Sequence, residues 1–85
     1  MKVKVLFFAG LREQLGTSSL DVEVPAGVAT VAGLRKFLVE KNSAWNDALA
    51  EKRLVRAAVN QDMVEPGAGI KAGDEVAFFP PVTGG

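Results

Sequence analysis

Residues Leu20–Asn42 read LDVEVPAGVATVAGLRKFLVEKN, and the period of their apolar positions changes partway along. Leu20, Val22 and Val24 alternate with Asp21 and Glu23, which is the period of a strand with one buried face. Pro25-Ala26-Gly27 ends that pattern, because proline offers no N–H to a ladder and glycine favours a turn. From Thr30 the spacing lengthens. Val31, Leu34, Phe37 and Leu38 fall on one helical face, with Arg35, Lys36 and Glu40 elsewhere. Thr30 suits the N-cap, since its hydroxyl can accept from the N–H groups that open a helix. A strand followed by a one-sided helix predicts two layers sharing one core.

The flanking segments supply the other strands. Lys2–Phe7 alternates as well, with Val3, Val5 and Phe7 directed to the core and Lys2, Lys4, Leu6 and Phe8 directed away. Leu11–Gly16 (LREQLG) predicts one or two helical turns stopped by glycine, inside the connection of a first hairpin. Asn42-Ser43 break the long helix, and Ala44–Lys52 (AWNDALAEK) predicts a second helix packing Trp45 and Leu49. Leu54–Asn60 (LVRAAVN) returns to strand, with Val55, Ala57 and Val59 on one face, and Gln61–Val64 (QDMV) turns into a short return strand. Glu65–Gly73 is a Pro/Gly-rich loop. Asp74–Phe79 (DEVAFF) is the last strand, with Val76 and Phe78 inward and Ala77 and Phe79 outward. The first and last strands are both strongly apolar, which predicts that they are central neighbours. The order β-β-α-(α)-β-β-β is that of an α+β, β-grasp (ubiquitin-like) fold over residues 1–79, a mixed sheet with a helix on one face. A flexible, extended tail follows at residues 80–85.

Composition narrows what such a domain can do. Its 85 residues provide for one core. Ten basic and ten acidic residues are well mixed, and the longest basic cluster is Arg35-Lys36. Nucleic acid is therefore not an expected partner, since its phosphates call for excess Lys and Arg on one face. With no cysteine there is no disulfide, no thiolate nucleophile and no sulfur-ligated metal. With no histidine, the usual neutral-pH acid/base group and the commonest metal ligand are missing too. The apolar run near the start extends only from Val5 to Leu11 before Arg12-Glu13, and nothing approaches the roughly 20 apolar residues of a membrane span. The expectation is a cytoplasmic protein with no bound metal and no membrane partner.

Few residues remain as candidates for chemistry. Gly67, Gly69 and Gly73 precede a strand, whereas a dinucleotide-binding glycine run leaves a strand and opens a helix, so they read as turn glycines. Asp74-Glu75 and the Asp21/Glu23 pair lack any further ligand cluster and read as solvated strand faces and turns. Trp45, at helical spacing from Leu49, reads as core. Strand parity places Phe8 and Phe79 on the sheet face away from the helix, where Met63 can join them. Three readings stay open for that group. It is a partner site, a loop or the short helix covers it, or the strand parity is shifted by one residue.

The end of the chain, FFPPVTGG (Phe78–Gly85), carries the remaining signal. Pro80-Pro81 cannot continue a ladder and favour the stiff polyproline conformation, so they stop the strand and project the chain. Residues 80–85 at full extension reach roughly 20 Å past Phe79. Gly84 and Gly85 have no side chains and fit a channel too narrow for other residues, with the α-carboxylate as the distinctive group at the tip. A carboxylate with a pKa of about 3.5 is ionised near neutral pH and is a poor electrophile. Adenylation by ATP would supply a leaving group that a sulfur or nitrogen nucleophile displaces. The alternative is a strand ended by proline with two frayed glycines. On a β-grasp body without Cys or His, the reactive tail is the favoured reading.

The chain resembles the family of molybdopterin synthase small subunits, ubiquitin-like sulfur carriers of molybdenum cofactor biosynthesis. KVLFFAGLRE (Lys4–Glu13), TVAGLR (Thr30–Arg35), AAVNQ (Ala57–Gln61) and above all GDEVAFFPPVTGG (Gly73–Gly85) carry the resemblance, which spans the whole chain. It implies that an E1-like enzyme uses ATP to adenylate Gly85, which then becomes a thiocarboxylate. It implies no permanently bound cofactor. The chain would not be an enzyme alone but the sulfur-donating subunit of a heterotetramer, whose large subunit holds cyclic pyranopterin monophosphate. Two deliveries of sulfur would form the molybdopterin dithiolene. Phe8, Met63 and Phe79 would make the apolar contact with the large subunit, Arg12 a polar one. Pro80, Pro81, Val82 and Thr83 would span the approach, and Gly84 would pass the channel. The alternatives are a sulfur carrier for thiamine or another pathway, a ubiquitin-like protein modifier, and an interaction module with an inert tail.

Overall fold

The change of period at Pro25 is where the chain leaves the sheet for the helical layer. The computed structural model describes residues 1–50 and 53–81. Strands β1 (Lys2–Phe7) and β2 (Ser19–Glu23) form an antiparallel hairpin whose connection carries α1 (Ala9–Leu15). Helix α2 (Val31–Lys41) follows, then a 3-10 turn (Ser43–Trp45) and α3 (Asn46–Leu49). Strands β3 (Arg56–Val59), β4 (Asp62–Val64) and β5 (Glu75–Phe79) complete the domain. The sheet order is β2-β1-β5-β3-β4, with β1 and β5 parallel and the other neighbours antiparallel. This is the mixed sheet of the β-grasp fold, with the first and last strands adjacent in its interior. Asn60 and Gln61 both take positive φ in the β3–β4 hairpin, as a two-residue turn of matching twist requires.

One face of the sheet makes the core. Val3, Val5 and Phe7 of β1 are buried together with Val22, Ala57, Val76 and Phe78, against Val31, Leu34 and Leu38 of α2 and Leu49 of α3. Phe7 stacks on Phe78 with ring centroids 6.2 Å apart and meets the edge of Trp45 at 5.6 Å. Each fully buried Val, Leu or Phe side chain stabilises the fold by about 1.5–3 kcal/mol relative to leaving it in water. Helix α2 begins as its sequence dictates, with the Gly33 N–H donating to Thr30 Oγ1 at 3.1 Å. Its two preceding N–H groups are met from elsewhere. Val31 donates to the Ala68 carbonyl and Ala32 to the Pro66 carbonyl, at 3.0 and 2.8 Å. Ile70 is buried, and its N–H donates to the Ala29 carbonyl. The 65–73 loop therefore caps α2 as well as linking two strands. Of its glycines only Gly73 takes positive φ.

Several sequence expectations are corrected. Helix α1 starts at Ala9 rather than Leu11. The second helix expected over 44–52 is a 3-10 turn and one α-helical turn ending at Leu49, with residues 51 and 52 outside the described residues. Its end is set from outside the segment. The Arg35 guanidinium, reaching from α2, donates to the carbonyls of Leu49, Ala50 and Arg53 and so terminates the turn. Strand β3 begins at Arg56, two residues later than expected, and Leu54 is 82% exposed. Phe37 is half-buried, with the Lys41 ammonium 5.7 Å above its ring, so the buried stripe of α2 is narrower than its apolar spacing implies.

The largest correction concerns Asp74, expected on a solvated surface and found 4% exposed. Its Oδ1 accepts from Asn60 Nδ2 at 3.0 Å and its Oδ2 from the Lys71 N–H at 2.9 Å. Asn60 Oδ1 in turn accepts from the Glu75 N–H at 3.0 Å, tying the β3–β4 turn to the start of β5. The Lys71 N–H and then the Asn60 amide hold the carboxyl below its ordinary pKa, outweighing the opposing effect of burial. A depressed carboxyl pKa adds stability above the unfolded value of about 3.9 and loses it as pH falls through the folded value. Asp74→Ala is expected to cost about 1–3 kcal/mol at pH 7. Urea denaturation of both forms should show that difference shrinking on acidification below pH about 4, as protonation removes the same interaction from the unsubstituted chain.

Candidate functional site

The sheet face away from α2 has a graded chemistry. At one end Lys4 lies between Asp21 and Glu75 in register, and Lys2 faces Glu23. Toward the end of β5 the face becomes apolar. Leu6, Ala77, Ala58 and Met63 form one cross-strand row through the pairs Leu6↔Ala77, Ala58↔Ala77 and Ala58↔Met63. The two alanines are small and side by side, so larger neighbours stand above them and leave a shallow dish. Leu6, Phe8, Met63, Phe79 and Pro80 help to line it. Phe8 is 46% exposed and Met63 53%, while Phe79 is half-buried.

Local geometry at the end of β1 explains the position of Phe8. Its N–H donates to the Phe78 carbonyl at 3.2 Å, extending the parallel ladder one residue past the strand. Ala9 then takes φ +54°, a left-handed conformation that costs an L-residue about 1–2 kcal/mol. That turn carries the chain into α1 immediately and leaves Phe8 at the rim of the dish. Pro80 continues the dish wall, whereas Pro81 borders a second groove on the opposite side, between α2 and β3. The root of the tail thus leaves the end of the interior strand β5, between the two faces.

The structure brings Phe8, Met63, Phe79 and Pro80 together around one depression. Arg12 is exposed on α1 and does not line the dish. Val82, Thr83, Gly84 and Gly85 lie outside the described residues. Sequence reading missed Ala58, which floors the dish, and Arg56, which faces Phe79 across β3 and β5. Both were available from parity, since Val55, Ala57 and Val59 pointing inward sends their neighbours outward. Among the described residues no group of three or more His, Cys, Asp or Glu gathers as metal ligands, and no helix is long and apolar enough to cross a membrane.

A mixed five-stranded sheet in the order β2-β1-β5-β3-β4, with its helices packed on one face and an apolar dish on the other, is a ubiquitin-like, β-grasp domain. More narrowly, the chain belongs to the ThiS family, whose model matches residues 5–85. It is 48% identical to the molybdopterin synthase sulfur carrier subunit of Escherichia coli (strain K12), over 98% of this chain and 99% of that protein. It is 41% identical to the Haemophilus influenzae protein of the same name, again over 98% and 99% of the two chains. Among solved structures, SAMP1 from Haloferax volcanii matches with a TM-score of 0.78 and 31% identity over the full length of both chains.

Proposed function

We propose that this protein is the sulfur-carrier subunit of a molybdopterin synthase. The observation that carries the reading is the 48% identity to a sulfur carrier subunit over nearly the full length of both chains. The geometry supports it, since an open apolar dish adjoins the root of a tail built for projection. The Gly85 carboxylate attacks the α-phosphorus of ATP on an E1-like activating enzyme, releasing pyrophosphate and forming an acyl-adenylate. A sulfide-level nucleophile (HS⁻) then displaces AMP, giving the thiocarboxylate and releasing its proton to solvent. ATP belongs to that enzyme, and this chain holds no resident cofactor.

Delivery takes place in the large synthase subunit, which binds cyclic pyranopterin monophosphate and supplies the catalytic pocket. Phe8, Met63 and Phe79 dock on that subunit, with Arg12 as a polar contact from α1. Pro80, Pro81, Val82 and Thr83 span the approach, Gly84 passes the narrowest point, and Gly85 presents the sulfur. One carrier at each end of a large-subunit dimer gives a heterotetramer. The domain of residues 1–79 serves as the docking body and residues 80–85 as the reactive arm, all in the cytoplasm.

Intact-mass analysis after incubation with an activating enzyme, ATP and a sulfur source tests the first half. The expected product replaces one oxygen by sulfur at Gly85. An unreactive terminus, or conjugates to lysines of other proteins, would overturn the reading. The second half requires the thiocarboxylate form and a large subunit to convert the pyranopterin precursor to molybdopterin. No conversion with a large subunit of proven activity would exclude this pathway.

A further inference from the structure

Arg56 stands on the outer face, cross-strand from Phe79 and so beside the root of the tail. It is exposed, and its side chain makes no hydrogen bond or ion pair with any described residue. Val64 faces Ala57, so Glu65 is the acid nearest to Arg56 in register, yet no ion pair joins the two. On this face its cross-strand neighbour is Phe79, which lines the apolar dish; Arg56 itself stands outside the dish and also borders the second groove with Glu65 and Pro81. A surface that covers Phe79 brings Arg56 to the rim of the contact. A guanidinium that loses part of its water there gains from an acceptor that replaces it. Its planar fork of donors matches a carboxylate best.

We propose that Arg56 is a specificity-determining residue of the docking face, meeting a carboxylate on the large synthase subunit at the rim beside the tail root. This rests on the reading that the large subunit covers the dish. Apolar contact fixes the depth of docking, and the charge pair fixes its direction. Together they set where Pro80 leads the chain. Such a rim charge acts chiefly on the association rate and weakens with salt, whereas apolar contacts do not share that dependence.

The test measures association and dissociation of the full-length chain with the purified large subunit, at low and high salt. The forms compared are unsubstituted, Arg56→Gln, Arg56→Glu and Met63→Asp. Arg56→Gln is expected to bind about tenfold more weakly at low salt, and Arg56→Glu about 100-fold more weakly, mostly through slower association. Both deficits should shrink several-fold at high salt, as the Debye length falls toward about 3 Å. Met63→Asp is expected to weaken binding at both salt concentrations. If Arg56→Glu binds within twofold of the unsubstituted chain, or more tightly, while Met63→Asp is impaired, the charge pair is wrong and the face stands. If Met63→Asp is unimpaired as well, the face itself is wrong and Arg56 falls with it. A loss for Arg56→Glu that salt leaves unchanged would mark a structural role and overturn the proposal.

Discussion

A chain that ends at Gly84 is expected to fold as the full-length chain does and to deliver essentially no sulfur. The two halves of that result have separate causes. Among the described residues every buried core residue lies between Val3 and Phe78, and Gly85 brings no side chain to pack, so its removal is expected to leave the melting temperature unchanged. The shortened chain still ends in a glycine carboxylate, so adenylation and sulfur loading are not excluded chemically. What changes is reach, by about 3.3 Å. A misplacement of about 1 Å at a reacting centre can cost about 100-fold in rate, so turnover should fall by at least that factor. Adding one glycine after Gly85 should be about as damaging, because the sulfur would overshoot. The measurement is single-turnover conversion of the pyranopterin precursor, using carriers whose thiocarboxylate loading is first verified by mass. Normal turnover by the loaded, shortened chain would overturn delivery through a tail of fixed length.

Most of the body was legible because its signals are local. The alternation of β1 and the switch to helical spacing after Thr30 each lie within one segment, and burial follows the period there. In β5 Ala77, expected to face outward, is buried along with Val76 and Phe78, because it floors the dish between Leu6 and Ala58. Parity, set by Val3, Val5 and Phe7 in β1 and by Val76 and Phe78 in β5, also placed Phe8 and Phe79 on the outer face. The corrected features depend on contacts between distant parts of the chain. The end of α3 is fixed by Arg35, 14 residues earlier, donating to Leu49. Asp74 is buried because Asn60, also 14 positions away, and the folded 71–74 turn surround it. An aspartate followed directly by a second acid, Glu75, carries no local mark of such an environment. Arg56 was missed for another reason, since charge on a strand reads as solvated until register shows what stands next to it.

The 65–73 loop is the converse case. Its composition signals only a turn-rich connection, yet carbonyls of Pro66 and Ala68 take the N–H groups that open α2. Helix N-termini leave such donors without partners inside the helix, so some segment had to supply acceptors. Sequence establishes that need at Val31 and Ala32 but not which segment meets it. Local chemistry therefore defined the elements and their faces, and long-range hydrogen bonding decided where they stop and how they are joined.

Phe79→Asp carries the other large expected effect, at least a 100-fold loss of affinity for the large subunit with the fold retained. Phe79 is half-buried at the last position of β5, and its neighbour Phe78 is fully in the core. The substituted side chain would face the dish rather than Phe7 or Trp45, so the core keeps its packing. Across the strands the new carboxylate would face Arg56, which favours the folded chain and limits the cost of losing the ring. In the complex the same carboxylate would be desolvated against an apolar surface, and it would compete for the Arg56 guanidinium. Aromatic anchors at interfaces commonly contribute about 2 kcal/mol or more, and a buried charge adds to that loss. Phe79→Ala separates the two effects. It removes the ring without adding charge and should weaken binding about 30-fold, or about 2 kcal/mol. Titration calorimetry with the large subunit reads both values, and thermal melts of the free variants check the fold. By contrast Phe78→Asp, which puts a carboxylate into the core beside Phe7, should prevent folding altogether. Unchanged affinity in Phe79→Asp would remove this face from the docking surface, even if the tail proved essential.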